Sequence, residues 1–252
     1  MNLDAQLSEL RNNILRDRSD IIAGDTDSLW SDETLLLYID DAERRFARQT
    51  LILRDSTTIE VAQIKLRAGV TTYPLHESVI SILSARYNTN AYDMARSGHA
   101  ILSQINPPEF LTFDPTSDYT VSPGAPIAYY TDETLVYAMQ NRVTLTVYPA
   151  PSAAEAGKIV YLRTIRLPMT KYTLDDLERE SEIPRSYQLD VLEWAAYRAQ
   201  RGFDGDAGAP TSAEAHERAF NKVVAEAVRE MKRSTFGNTG IKYGSNGFSW
   251  ER

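Results

Sequence analysis

Cysteine is absent from the 252 residues, which removes disulfides, thiolate metal sites, iron–sulfur clusters and cysteine nucleophiles together. Histidine is nearly absent. His76, His99 and His216 stand far apart, and none belongs to an H-E-x-x-H or H-x-E pattern. No apolar run approaches the roughly 18 residues of a membrane span. Met1-Asn2-Leu3-Asp4 has neither the basic start nor the apolar core of a signal peptide, so a soluble chain without membrane contact is expected. The glycines never form G-x-G-x-x-G or G-x-x-x-x-G-K-[ST], which leaves no usual nucleotide loop. Positive charge is also short: 27 Lys and Arg face 35 Asp and Glu, a net −8 that disfavours a broad cationic grip on nucleic acid.

What is present is ordinary in bulk and specific in pattern. A chain of this length buries a full core without staples. The 14 tyrosines against 7 phenylalanines favour aromatics with a polar end, suited to interfaces and equally to half-buried strands. Leu3, Leu7, Leu10 and Ile14 mark one stripe of an N-terminal helix. After the Gly24 to Ser28 break, Ser31 is a candidate N-cap, and a helix is predicted from Asp32 into the fifties. Its apolar face carries Leu35, Leu36, Ile39, Ala42, Phe46 and Leu53. Asp40, Asp41, Glu43, Arg44, Arg45 and Arg48 occupy the other face.

From Glu60 the period changes to two, with Ala62, Ile64 and Leu66 alternating with Gln63, Lys65 and Arg67. Ala68-Gly69 predicts a turn into a second strand at 70–75, and 79–87 a third. Segments 126–130, 135–139, 143–148 and 159–165 supply four more, with turns at Asp132-Glu133, Gln140-Asn141 and Ala156-Gly157. Residues 91–98 read as short helix or irregular chain, and Asn106-Pro107-Pro108 blocks a long helix. Helix resumes at 187–201, its face carrying Leu189, Leu192, Ala195, Ala196 and Ala199. A final helix is predicted over 213–233, capped by Thr211 or Ser212. Ala215, Ala219, Phe220, Val223, Val224, Ala227 and Met231 face inward, and His216 faces solvent. Beyond Ser234 the chain is glycine-rich with Phe236, Tyr243, Phe248 and Trp250, a composition unable to hold a packed structure alone.

The fold class that follows is α+β: a helical bundle built from both chain ends, an inserted β-rich domain and an extended C-terminal tail. The divisions are 1–58 for the N-terminal helices, 59–170 for the inserted domain, 171–234 for the C-terminal helices and 235–252 for the tail.

Candidate chemistry is thin. Phe203-Asp204-Gly205-Asp206-Ala207-Gly208 has a calcium-loop spacing but lacks the further oxygen ligands and the Glu at position twelve, so a turn is expected. Asp175, Asp176, Glu178, Glu180 and Glu182 read as a solvated acidic run. His99 has no local Ser–Asp partners. No cofactor, metal site or catalytic residue is expected. Arg44, Arg45 and Arg48 form one basic patch; Arg229, Lys232 and Arg233 form another where a helix dipole favours cations.

Several segments are nonetheless distinctive in their order. They are Trp30-Ser31-Asp32-Glu33 leading to Tyr38-Ile39-Asp40-Asp41-Ala42-Glu43-Arg44, and Leu66-Arg67-Ala68-Gly69-Val70-Thr71-Thr72-Tyr73-Pro74-Leu75. Val147-Tyr148-Pro149-Ala150-Pro151 follows, then Glu182-Ile183-Pro184-Arg185-Ser186-Tyr187 and Trp194-Ala195-Ala196-Tyr197-Arg198-Ala199. Together, over about residues 30 to 233, they resemble the head-to-tail adaptor (connector) proteins of tailed bacteriophages, particularly short-tailed phages.

The resemblance implies a structural virion protein made in the host cytoplasm. It implies a homo-oligomeric ring, usually of twelve copies, docked beneath the portal protein at the vertex between head and tail. Such a ring forms part of the channel through which double-stranded DNA passes during packaging and ejection without sequence-specific binding. It meets tail nozzle or tail fibre proteins on its far side. The C-terminal segment would insert along the portal, with Phe236, Tyr243, Phe248 and Trp250 as anchors beside Arg229, Lys232 and Arg233. Two other readings stand against it. One is a virion-associated cell-wall hydrolase using paired carboxylates, for which no spacing selects a pair. The other is a different collar or tail-completion protein of the same fold.

Overall fold

A computed structural model describes residues 1–17, 29–88, 99–105, 123–132, 143–169, 171–201 and 210–236. The chain divides into two units, residues 1–53 with 168–252 and residues 54–167.

The first unit is helical. Asn2 caps α1 (Leu3–Glu9) by accepting from the Ala5 N–H, and α1 runs into a π-helical turn, Leu10–Leu15. Arg16 ends this turn in the left-handed region, at φ 56°. Ser31 caps α2 (Asp32–Thr50) as its spacing predicts, accepting from the Thr34 N–H at 3.3 Å. The helix stops at Thr50 because Leu51 turns left-handed at φ 55°, so Leu53 lies beyond the face it was expected to join. Leu35, Leu36, Ile39, Ala42 and Phe46 are buried as read; so is Glu43, which the charge pattern had placed outside.

Two helices complete this unit: α4 (Gln188–Arg201) and α5 (Pro210–Phe236). They pack on each other and on α2. An aromatic cluster joins them. Phe46 of α2 lies 5.3 Å from the Tyr187 ring and 6.4 Å from Phe220 of α5, while Trp194 of α4 lies 5.3 Å from Phe220 and 4.7 Å from Tyr197. The α4 face is rotated from the expected one: Leu189 is 53% exposed, and Val191, Trp194 and Tyr197 are buried with Leu192 and the alanines. On α5, Phe220 and Ala227 are buried but Ala215 is exposed. That helix also begins at Pro210, where proline's fixed φ suits a first turn, and takes in Thr235 and Phe236.

The second unit is a curled sheet, so the fold class is α+β. Its strands are β1 (Arg54–Asp55), β2 (Gln63–Lys65), β3 (Thr72–Pro74), β4 (Val79–Asn88), β5 (His99–Gln104), β6 (Ala128–Asp132), β7 (Thr144–Tyr148) and β8 (Ile159–Arg166). The order is β1-β8-β4-β5-β6-β7-β3, with β2 also on β8. All pairs are antiparallel except β5 with β6. The predicted turn at Ala68-Gly69 exists, with Gly69 at φ 70°, a left-handed angle that costs glycine no steric clash. The strands flanking it do not pair, however: β2 joins β8 and β3 joins β7. Cross-strand partners share a face, so Ile64, Val160 and Tyr87 form one buried row, Leu162, Ala85 and Leu102 a second, and Tyr73 with Leu145 a third. Strand β5 was not predicted, and β6 lies two residues later than its expected span. The expected pieces at 91–98, 106–108, 135–139 and 140–141 lie outside the described residues.

A short helix, α3 (Ile59–Ala62), separates β1 from β2, and Asp55 fixes its entry. The carboxylate accepts from the N–H groups of Thr57 at 2.9 Å and Thr58 at 3.0 Å, from the Thr58 hydroxyl at 2.7 Å and from Arg166 Nε of β8 at 2.7 Å. Burial opposes its ionisation. The Thr58 and Thr57 amides, the Thr58 hydroxyl and Arg166 outweigh that and hold the carboxyl well below the usual range. A depressed carboxyl contributes stability above its unfolded value, near 3.9, and loses it as pH falls through the folded value. Asp55→Ala should therefore cost about 2–4 kcal/mol in urea melts at pH 7, since it removes the turn hydrogen bonds to Thr57 and Thr58 and the buried ion pair with Arg166. The gap between wild type and Asp55→Asn should shrink below about pH 4; a gap that is constant down to pH 2 contradicts the assignment.

Candidate interaction surfaces

The distinctive segments of the sequence are used up in holding the fold. Arg11 bonds Asp17 at 2.9 Å, the Trp30 carbonyl at 2.8 Å and Asp32 at 2.6 Å, and Asp17 accepts the Leu29 N–H at 2.9 Å, which ties the start of α2 to the π-helical turn. Asp41 accepts the Trp194 indole N–H at 2.8 Å. In the 66–75 segment the Tyr73 hydroxyl donates to the Val70 carbonyl at 2.8 Å and accepts the Arg67 N–H at 3.0 Å, which closes the turn over Gly69. The Tyr148–Pro149 peptide bond is cis. The Gln188 amide donates to the Ile183 carbonyl at 2.7 Å, bracing the turn around Pro184 ahead of α4.

Glu43 is the one deeply buried carboxylate among these segments, at 1% exposure. It accepts from Tyr172 Oη at 2.5 Å, Ser181 Oγ at 2.5 Å and Gln6 Nε2 at 3.2 Å. Burial pushes its carboxyl up, against the lowering influence of those three donors. Burial together with the adjacent Glu43 charge and hydrogen bond drives the Tyr172 phenol far above its usual value. A protonated Glu43 also offers a donor next to the Gln6 amide, whose oxygen is buried without a partner. The sign is the reverse of Asp55. The favourable state is fully present below the ordinary carboxyl value near 4.5 and is lost as pH rises through the folded value. Glu43→Gln should gain stability relative to wild type as pH rises above 4.5 in paired urea melts; parallel curves rule this out.

The other candidates resolve as surfaces or as pairs. Of the first basic patch, Arg44 is paired with Asp40 at 2.9 Å and Arg45 stacks 3.8 Å over the Trp194 ring, so Arg48 alone is left without a partner among the described residues. His216 does not face solvent as expected but meets Glu193 of α4 at 2.5 Å. His76 closes a local turn on Ser78 at 2.8 Å. His99 begins β5, and its side chain lies outside the described residues, as does the Phe203 to Gly208 loop.

Arg229, Lys232 and Arg233 are exposed on the last turns of α5. Phe236 is described only as the last backbone position of that helix; Tyr243, Phe248 and Trp250 lie outside the described residues. The structure therefore brings the three cations together and leaves the aromatic anchors unplaced.

Sequence reasoning missed a groove on the outer face of the sheet, with a volume of about 660 Å³. Register builds it: Arg86 of β4 faces Tyr161 of β8, Ser84 faces Arg163, and Gln63 of β2 faces Tyr161 from the other side. Arg86 and Arg163 are exposed, and neither meets a carboxylate among the described residues. The alternation of Arg86 with Ala85 and Tyr87, and of Arg163 with Leu162 and Thr164, was the available signal.

Among the described residues no group of three or more His, Asp or Glu side chains could hold a metal ion, and no helix is long and apolar enough to cross a membrane. Among the described residues many polar side chains are engaged in the fold, and Arg48, Arg86 and Arg163 stand on exposed faces without described partners. A family model described as SU10 adaptor protein matches residues 5–241. The chain belongs to that family: it is a bacteriophage adaptor, a structural component of the virion, which implies association with portal and tail components. No curated protein matches it.

Proposed function

We propose that this adaptor acts as a ring subunit between head and tail, docking beneath the portal and forming part of the DNA channel. The family match over residues 5–241 is the observation that carries the reading. The ring holds about twelve copies, the closed cyclic arrangement that repeated heterologous contacts produce. Its body is a helical bundle built from both chain ends, with residues 59–170 as the inserted β-rich domain. The 235–252 segment reaches along the portal and places Phe236, Tyr243, Phe248 and Trp250 as anchors, with Arg229, Lys232 and Arg233 beside them. The far side meets tail nozzle or fibre proteins.

The charge balance supports a channel wall. A subunit of net −8 repels phosphate, so duplex DNA passes without adhering. The test is solution mass, measured for the full chain alone and mixed with its portal. A defined multimer, alone or on the portal, is the expected result; a monomer that ignores the portal overturns the proposal.

A further inference from the structure

The sheet groove and the acidic run are opposite in charge, and each carries an exposed apolar side chain, Ile101 and Leu174. In the groove Arg86 and Arg163 project from adjacent strands with Tyr161 between them, and Ile101, paired with Arg86 across β4 and β5, is 73% exposed. Two exposed guanidinium groups lacking described counter-ions, beside an isoleucine that is 73% exposed, make a cationic patch with an apolar edge, suited to a partner that brings carboxylates and an apolar side chain. The acidic run has the opposite character. Asp175 and Glu178 are exposed, while Asp176 reaches Arg179 and Glu180 reaches Arg185 only at 3.8 Å. Leu174 beside them is 39% exposed.

The run is also displayed rigidly. The Leu177 carbonyl accepts the Asp4 N–H at 3.0 Å, and the Arg179 carbonyl accepts the Leu3 N–H at 2.9 Å, so main-chain bonds to α1 hold it. Apart from half-buried Leu177, its side chains are exposed.

We propose that the outer sheet groove around Arg86 and Arg163 seats the acidic segment at 174–180 of a second copy of this chain. Carboxylates of that segment meet the two guanidinium groups, and Leu174 covers Ile101. The contact uses two different patches on the two copies, a heterologous interface that propagates around a ring. It rests on the ring reading above and deepens it by naming one contact between neighbours.

The test uses the full chain, half of it isotopically heavy, mixed with the portal and coupled with a carbodiimide, which joins lysine amines to carboxylates. Arg86→Lys and Arg163→Lys keep the charge and supply the amine. Heavy–light cross-links from position 86 or 163 to the 174–180 peptide are expected. Charge reversal supplies the second arm: Arg86→Glu with Arg163→Glu should weaken association roughly tenfold or more, and adding Asp175→Lys with Glu178→Lys should recover most of it. Melting curves check that each variant is folded. A multimer by mass without these heavy–light links, or with no rescue, overturns the contact alone. No multimer in any condition overturns the ring reading and the contact with it.

Discussion

Truncation after Phe236 should lower affinity for the portal at least roughly a hundredfold, while the unfolding of both units stays within about 0.5 kcal/mol of wild type. The magnitude follows from three aromatic side chains in residues 237–252, Tyr243, Phe248 and Trp250. Aromatic anchors in desolvated pockets are worth about 2 kcal/mol or more each and are not additive, so two good anchors already give a hundredfold. The intervening glycines let a backbone follow a groove, at an ordering cost the anchors must exceed. The cut leaves α5 whole through Phe236, so the fold loses no described contact. Portal titrations of the truncated chain, and of Tyr243→Ala, Phe248→Ala and Trp250→Ala singly, decide the matter. Unchanged binding by the truncated chain refutes the tail assignment. Reversing Arg229, Lys232 and Arg233 should instead alter the association rate and its salt dependence, as exposed charges at an interface rim do.

The second large effect is on stability. Phe46→Ala should destabilise the helical unit by about 3–5 kcal/mol, against near zero for Leu189→Ala. Phe46 is fully buried where α2, Tyr187 and α5 meet, and its ring contacts Tyr187 and Phe220 at once. Removing it leaves a void bounded by two other rings, and rings on separate elements cannot all collapse into it. Leu189 is the informative control, because a stripe drawn on the sequence puts it inside and the structure leaves it over half exposed. Urea melts followed by tryptophan emission suit the comparison, Trp30 and Trp194 both belonging to this unit. Equal costs at the two positions would mean that α4 is rotated from the orientation described.

These two positions show what was legible. Phe46 was readable because α2 presents one broad stripe and a side chain at its centre has a single destination. Leu189 was misread because α4 is buried on most of its circumference, and small alanines spread round a helix do not fix its phase. Glu43 was placed outside on charge, although positions 39, 43, 46 and 50 lie on one face; the periodicity was right and the residue type misled. Nothing local announces its partners, since Tyr172 and Ser181 are 129 and 138 residues away in sequence. Strand β5 was missed for a related reason. His99-Ala-Ile-Leu-Ser-Gln104 alternates weakly, and its strand state comes from pairing with β4 on one side and, in parallel, with β6 on the other. The cationic groove has the same origin: Gln63, Arg86 and Arg163 converge only because β2, β4 and β8 are neighbours in the sheet.

The way the acidic run is fastened has an evolutionary corollary. Segment 174–180 is held to α1 through the carbonyl oxygens of Leu177 and Arg179, and every residue type brings the same carbonyl. Its exposed acidic side chains, such as Asp175 and Glu178, can therefore be exchanged at little folding cost, so the charge pattern there is free to drift in step with whatever surface it must match.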